Sequence, residues 1–146
     1  MNEALSDNRP HARRIGRSVL ALFAGFVVAV VLSLGTDVGL HAAGIFPVLS
    51  EPNFSDRLLL LATAYRTLYS IVSSYVTARL APYAPMQHAL FGGFLGLILS
   101  TVGAVATWNR GLGPHWYPVA LVALAMPTAW LGGAIRVRQL QAQAHA

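Results

Sequence analysis

The chain has 146 residues, 55% of them hydrophobic and 10% charged, with a formal charge of +5. Ordinary soluble domains carry about 25% charged residues, so this chain cannot clothe its surface in polar groups, and much of it must face lipid. Cysteine is absent, which excludes disulfides, thiolate metal sites, thiol nucleophiles and quinone-linked dithiol chemistry.

At this length a single membrane domain accounts for residues 1–146. Residues 1–16 read as a basic arm containing Arg9, Arg13 and Arg14. The first apolar run covers about 17–43, with no charge between Ser18 and Thr36. A span needs about 20 apolar residues, whereas a secretory h-region has only about 7–15. This run therefore reads as a signal anchor that stays in the membrane. The loop 44–55 holds Pro47 and Pro52 and ends at Ser55, an N-cap residue before Asp56. A second span over about 56–80 is interrupted by Arg66, and the turn "APYAP" (81–85) leads into a third, over about 86–108, with no Arg, Asp or Glu. After the Gly/Pro loop 109–115, a fourth span covers about 116–135, and 136–146 form a tail. Pro118 suits the start of that helix. Pro127 removes a mid-span backbone hydrogen bond and predicts a bend, with Thr128 placed to compensate locally.

Arginine placement gives orientation. Arg9, Arg13, Arg14, Arg17, Arg79, Arg136 and Arg138 fall on one side, and only Arg57 and Arg110 on the other. The positive-inside rule then places both termini and the "APYAP" turn in the cytoplasm. Trp108, Trp116 and Tyr117 fall at the outer interface, where amphipathic rings settle. Arginine without lysine reads as the codon bias of a GC-rich bacterial genome. The expected fold is an all-α integral membrane protein of the bacterial inner membrane. It is a four-transmembrane-helix antiparallel bundle with short loops and cytoplasmic termini.

Helices in lipid associate through close packing of small residues. The first span offers Ala21, Gly25, Ala29, Ser33, Asp37 and His41 at spacing four, and the third offers His88, Gly92, Gly96 and Ser100. Gly133 ends a similar row in the fourth. Gly25, Gly92, Gly96 and Gly133 are thus the expected packing positions.

Arg66 lies eleven residues beyond Ser55, roughly 16 Å into its span at 1.5 Å per residue. A charge at such depth costs about 2.5–3.5 kcal/mol on insertion scales and calls for a partner. Asp37 is the only carboxylate inside a span. The expected site is therefore an Asp37–Arg66 pair with His41 or Tyr65 as a further hydrogen-bond partner. A second candidate lies in the outer loops, where His115, Trp116 and Tyr117 face Glu51 across a shallow mouth above that pair. His41 and His88 do not suggest haem, because they fall near opposite faces of the membrane.

No nucleophile-plus-base, zinc or phosphate-loop motif occurs in the sequence. The expectation is a non-enzymatic protein without metal or cofactor. The basic arm reads as a topology signal and lipid-headgroup contact, not a nucleic-acid tail. Three functions are considered: an accessory or assembly subunit, acting in a homo-oligomer or with a membrane-complex partner; a small solute- or proton-coupled transporter using Asp37, Arg66 and His41; and, least favoured, a membrane enzyme acting on lipid at the outer face through His115 or His41. The first is favoured by the short loops and the absence of catalytic motifs.

Overall fold

Apolar runs in lipid must satisfy every backbone polar group internally, and helices do so. The structure is a computed structural model that describes residues 9–47 and 51–145. The start of the basic arm (1–8), residues 48–50 of the first longer loop and residue 146 lie outside the described residues. Four helices form: α1 (Arg9–Ala42), α2 (Asp56–Leu80), α3 (Pro85–Thr107) and α4 (Trp116–Ala144). No strand occurs among the described residues.

Three of these helices, α1, α3 and α4, are long and apolar enough to cross a membrane. In α2 the 25 residues suffice in length, but Arg66 and a stretch rich in Ser, Thr and Tyr dilute its apolar character. Both terminal helices outrun their apolar runs. α1 begins at Arg9 and α4 continues to Ala144, well past residue 135. The α4 flank is mostly Arg, Gln, Leu and Ala, which are good helix formers, and nothing after Gly133 breaks the ladder; in the α1 flank Pro10 sits beside Arg9. At the other end of α1, Gly44 takes a left-handed φ of 69° and turns the chain out of the helix. The "APYAP" turn places Ala84 at a left-handed φ of 40° immediately before Pro85 starts α3.

The interior is made of small side chains. Ala21, Ala62, Ala78, Ala89 and Ala129 are buried with Thr77 and Thr128, while the large apolar residues point outward, Phe23, Phe94, Val102 and Trp130 among them. Backbones approach closely as a result. A Cβ on Gly25 would lie 2.9 Å from the Ser73 carbonyl, and the Ser73 hydroxyl donates to the Gly25 carbonyl at 2.8 Å. A Cβ on Gly132 would lie 2.5 Å from the Ile71 carbonyl. On Gly133 it would meet Met86 Sδ at 2.8 Å and Ala89 at 2.9 Å.

The third helix departs from its expected packing row. Gly93, one residue along, is the position pressed against Ala129. Gly92 would make only ordinary contact, with Leu22 at 3.6 Å, and Gly96 meets nothing within 4 Å. The contact face of α3 is the Ala89–Gly93 side that meets α4, and the side that carries Gly92 and Gly96 opens from Leu22 contact at Gly92 to empty space at Gly96. Pro127 also behaves differently from expectation. The Thr128 hydroxyl donates toward the Leu124 and Ala125 carbonyls at 2.8 and 3.0 Å, not toward the Ala123 carbonyl that Pro127 leaves unpaired.

Helix α2 is the central element, packing against α1, α3 and α4. It runs parallel to α4: Trp116 meets Asp56 at one end, and Tyr75 meets Gln139 at the other. α3 closes on α4, whereas α1 touches α3 only lightly and, among the described residues, does not pack on α4. The gap this leaves positions the site.

Gly132→Ala should therefore lower stability in detergent unfolding by about 1–3 kcal/mol, as overpacking against fixed backbone does. Gly96→Ala should leave the transition unchanged. Equal losses at both positions would contradict the seam between α2 and α4.

Candidate functional site: a charged pair between two cavities

The site is built where α1 and α2 run antiparallel toward the two longer loops. Asp37 lies five residues before the end of α1, and Arg66 ten residues after the start of α2. An Arg side chain reaches along its helix toward the nearer polar region, which carries the Arg66 guanidinium to the level of Asp37. Arg66 Nη2 donates to Asp37 Oδ2 at 2.6 Å. The Tyr65 hydroxyl donates to the other carboxylate oxygen, Asp37 Oδ1. Consecutive residues of α2 thus occupy both oxygens of one carboxylate. One turn farther along α2 from Tyr65, the Tyr69 hydroxyl lies 2.8 Å from Thr36 Oγ1 and extends the polar seam.

His41 joins the group differently from the expected carboxylate partner. Its Nδ1 lies 2.6 Å from the backbone carbonyl of Asp37, and its ring meets Phe46 edge-on. The pair is not sealed. The Arg66 side chain is 34% exposed and that of Asp37 18%. Arg66 Nε is buried and, among the described residues, has no hydrogen-bond partner.

Two cavities account for that exposure. A pocket of about 220 Å³ at the loop end is lined by Asp37, His41, Glu51, Tyr65, Arg66 and Tyr117. Its rim is held where the loops meet, by the Asn53 N–H donating to the Leu112 carbonyl at 2.9 Å. A larger cleft of about 670 Å³ occupies the middle of the bundle. Its floor is the hydroxyl-rich face of α2, with Thr67, Ser70, Ser73, Ser74 and Thr77. Arg66 contributes to the walls of both.

The outer-loop group is divided. Tyr117 and Glu51 line the small pocket with the charged pair. His115 is turned away, stacked on Trp108 with ring centroids 4.3 Å apart and accepted by the Trp108 carbonyl at 2.9 Å. Trp116 is occupied as well, its indole N–H donating to Asp56 at 2.9 Å. These two side chains fasten the loop to helix ends and leave the pocket to Tyr117. His88 ties two helices together. Its Nδ1 lies 3.2 Å from the Ala84 carbonyl, and its Nε2 lies 2.9 Å from Ser18 Oγ on α1. Nothing in the sequence links residues 70 apart, so this tie between α1 and α3 was not readable from spacing.

Among the described residues, no three His, Asp or Glu side chains gather as metal ligands. The chemistry on offer is hydrogen bonding around an ion pair of zero net charge. Compared with protein-family models, curated proteins and solved structures, the chain matches none.

Removing Asp37 leaves Arg66 without its acceptor in a low-dielectric setting. Asp37→Ala should cost about 2 kcal/mol, less than the about 3–5 kcal/mol of a fully buried pair because Arg66 retains some exposure. The double variant Asp37→Ala/Arg66→Leu should recover much of that loss. Reversible unfolding in mixed micelles measures both, and purely additive losses would show that the two side chains are not coupled.

Proposed function

We propose that this chain is a four-span protein of the bacterial inner membrane, with both termini in the cytoplasm, and that it works as a small carrier gated by Asp37 and Arg66. Exposed Leu60, Leu61, Leu68 and Val72 support a spanning α2, because they give that helix an outward apolar face like those of its neighbours. The arginine distribution supports the orientation.

The observation that carries the reading is the position of Arg66 in the walls of both cavities. A polar molecule in the outer pocket is separated from the hydroxyl-lined cleft by the guanidinium and its carboxylate partner. Swinging Arg66 off Asp37 joins the two spaces, and returning it separates them. Such a gate operates at low electrostatic cost only if the charges stay close to one another, and Tyr65 holds Asp37 in place while Arg66 moves.

A second reading, an accessory subunit held together by the same pair, is favoured by the full occupation of both Asp37 oxygens within α1 and α2. The two readings differ in what happens behind the pair. Because the chain has no cysteine, a single Ser70→Cys reports on the cleft without background labelling. In sealed vesicles, a membrane-impermeant maleimide applied from the outer side should label Ser70→Cys slowly. Adding Asp37→Asn should raise the labelling rate at least tenfold. A rate unchanged by Asp37→Asn, accompanied by a lower unfolding midpoint, would replace the carrier with the accessory-subunit reading. Single cysteines at the exposed Asn109 and Ala144 supply the orientation in the same vesicles, Asn109→Cys labelling from outside and Ala144→Cys only after permeabilisation.

A further inference from the structure

The large cleft is not a closed chamber. α1 and α3 are fastened at their arginine-rich end, where His88 meets Ser18 at 2.9 Å and Gly92 faces Leu22. Farther along they diverge, and the cleft opens sideways between them. Its lips are Phe23 and Phe26 of α1 and Leu95 and Leu99 of α3, all exposed. Its floor is polar, and among the described residues the Ser33, Ser70 and Ser74 hydroxyls have no side-chain hydrogen bond. The opening therefore joins the apolar layer of a bilayer to a strip of hydrogen-bonding groups.

We infer that this cleft binds a neutral amphiphile, an apolar chain bearing a compact head with hydrogen-bond-accepting oxygens, which enters from the bilayer between α1 and α3. The inference rests on the carrier reading for the movement of this molecule, though not for its binding. Three features select the occupant. The first is charge: among the described residues Arg66 is the only charged side chain lining the cleft, and Asp37 neutralises it at 2.6 Å. A charged headgroup would give up its hydration with no counter-charge to meet it, and a neutral one avoids that cost. The second is donor supply. The cleft wall presents the Ser33, Ser70 and Ser74 hydroxyls together with Arg66, whose side chain is 34% exposed. A carbonyl or ether oxygen placed beside Arg66 and Ser70 accepts from these donors, which an alkyl chain cannot do. The third is shape. The closed end at His88 and Ser18 blocks a membrane-spanning helix about 10 Å across from lying along the cleft, whereas a chain with one small head enters through the lips and stops.

Diacylglycerols and prenylated quinones share this chemistry, so the test carries both. The full chain is reconstituted in phosphatidylcholine nanodiscs and titrated with dioleoylglycerol or decylubiquinone, with phosphatidylglycerol as the charged comparison. Native mass spectrometry reads the bound species. At least one neutral probe should bind saturably, one molecule per chain, ahead of phosphatidylglycerol, and the stronger of the two identifies the head. Gly96→Leu adds a side chain where a Cβ meets nothing within 4 Å, so it fills the cleft and leaves the fold intact. It should weaken the neutral probe at least tenfold. Gly103→Leu, at an equally open position outside the cleft, should leave binding unchanged. The inference is overturned if neither neutral probe binds, if phosphatidylglycerol is preferred, or if Gly96→Leu binds like the parent chain. It is also overturned if Ser70→Cys crosslinks to a second copy of the chain. Binding with an unresponsive maleimide gate removes the carrier reading and keeps this one; a responsive gate without binding does the reverse.

Discussion

In the proposed four-span arrangement, a guanidinium ten residues into α2 calls for a counter-charge, because leaving it unpaired in hydrocarbon costs several kcal/mol. Within α1, α3 and α4, Asp37 is the one carboxylate available to it. That scarcity fixes much of the bundle. Arg66 must lie beside α1 at the level of Asp37, so the register of the first two helices follows. Tyr65, the neighbouring residue on α2, then falls within reach of the second carboxylate oxygen. One turn on, Tyr69 meets Thr36 for the same reason. The remaining length of the seam is set by Gly25, where the α2 backbone comes close enough for Ser73 to bond across.

The rest of the bundle follows from what small residues permit. Gly93, Gly132 and Gly133 let α3 and α4 close on each other and on α2. No equivalent set draws α1 toward α4, and the two do not pack together among the described residues. The interior beside α2 is thus left open, and it is lined by hydroxyls because those are what α2 presents there. A polar interior with an apolar rim is a consequence of α2 packing on three sides while its partner α1 packs closely on α2 and meets α3 only at one end.

Much of this was readable in the sequence, and the boundary of what was readable has a physical cause. Helix number and approximate position follow from long apolar runs separated by Pro and Gly. The pairing of Asp37 with Arg66 follows from cost and scarcity, since each had one reasonable partner. Glycine positions were harder. Spacing of four finds a face but does not say which neighbour that face meets, so Gly96 was grouped with Gly92 although it borders empty space, and Gly93 and Gly132 were missed. The outer loops divide for a similar reason: His115, Trp116 and Tyr117 are consecutive, but helical geometry turns them in different directions, and only Tyr117 looks into the pocket. The His88–Ser18 contact was beyond reach, because it depends on how far α3 lies from α1.

In the four-span arrangement proposed above, pairing between the first two helices also bears on how the chain is made. α1 leaves the ribosome first and carries Asp37 into the bilayer near its trailing end. α2 follows after a loop of 13 residues, from Ala43 to Ser55, and it is the helix whose own apolarity is weakest. Inserted alone, each would take an unpaired charge into lipid. Inserted as a hairpin, they carry a neutral pair, and the cost of Arg66 is met during synthesis by a residue already in place. If α2 spans the membrane as proposed, the order of the two helices along the chain is part of what lets the second one enter.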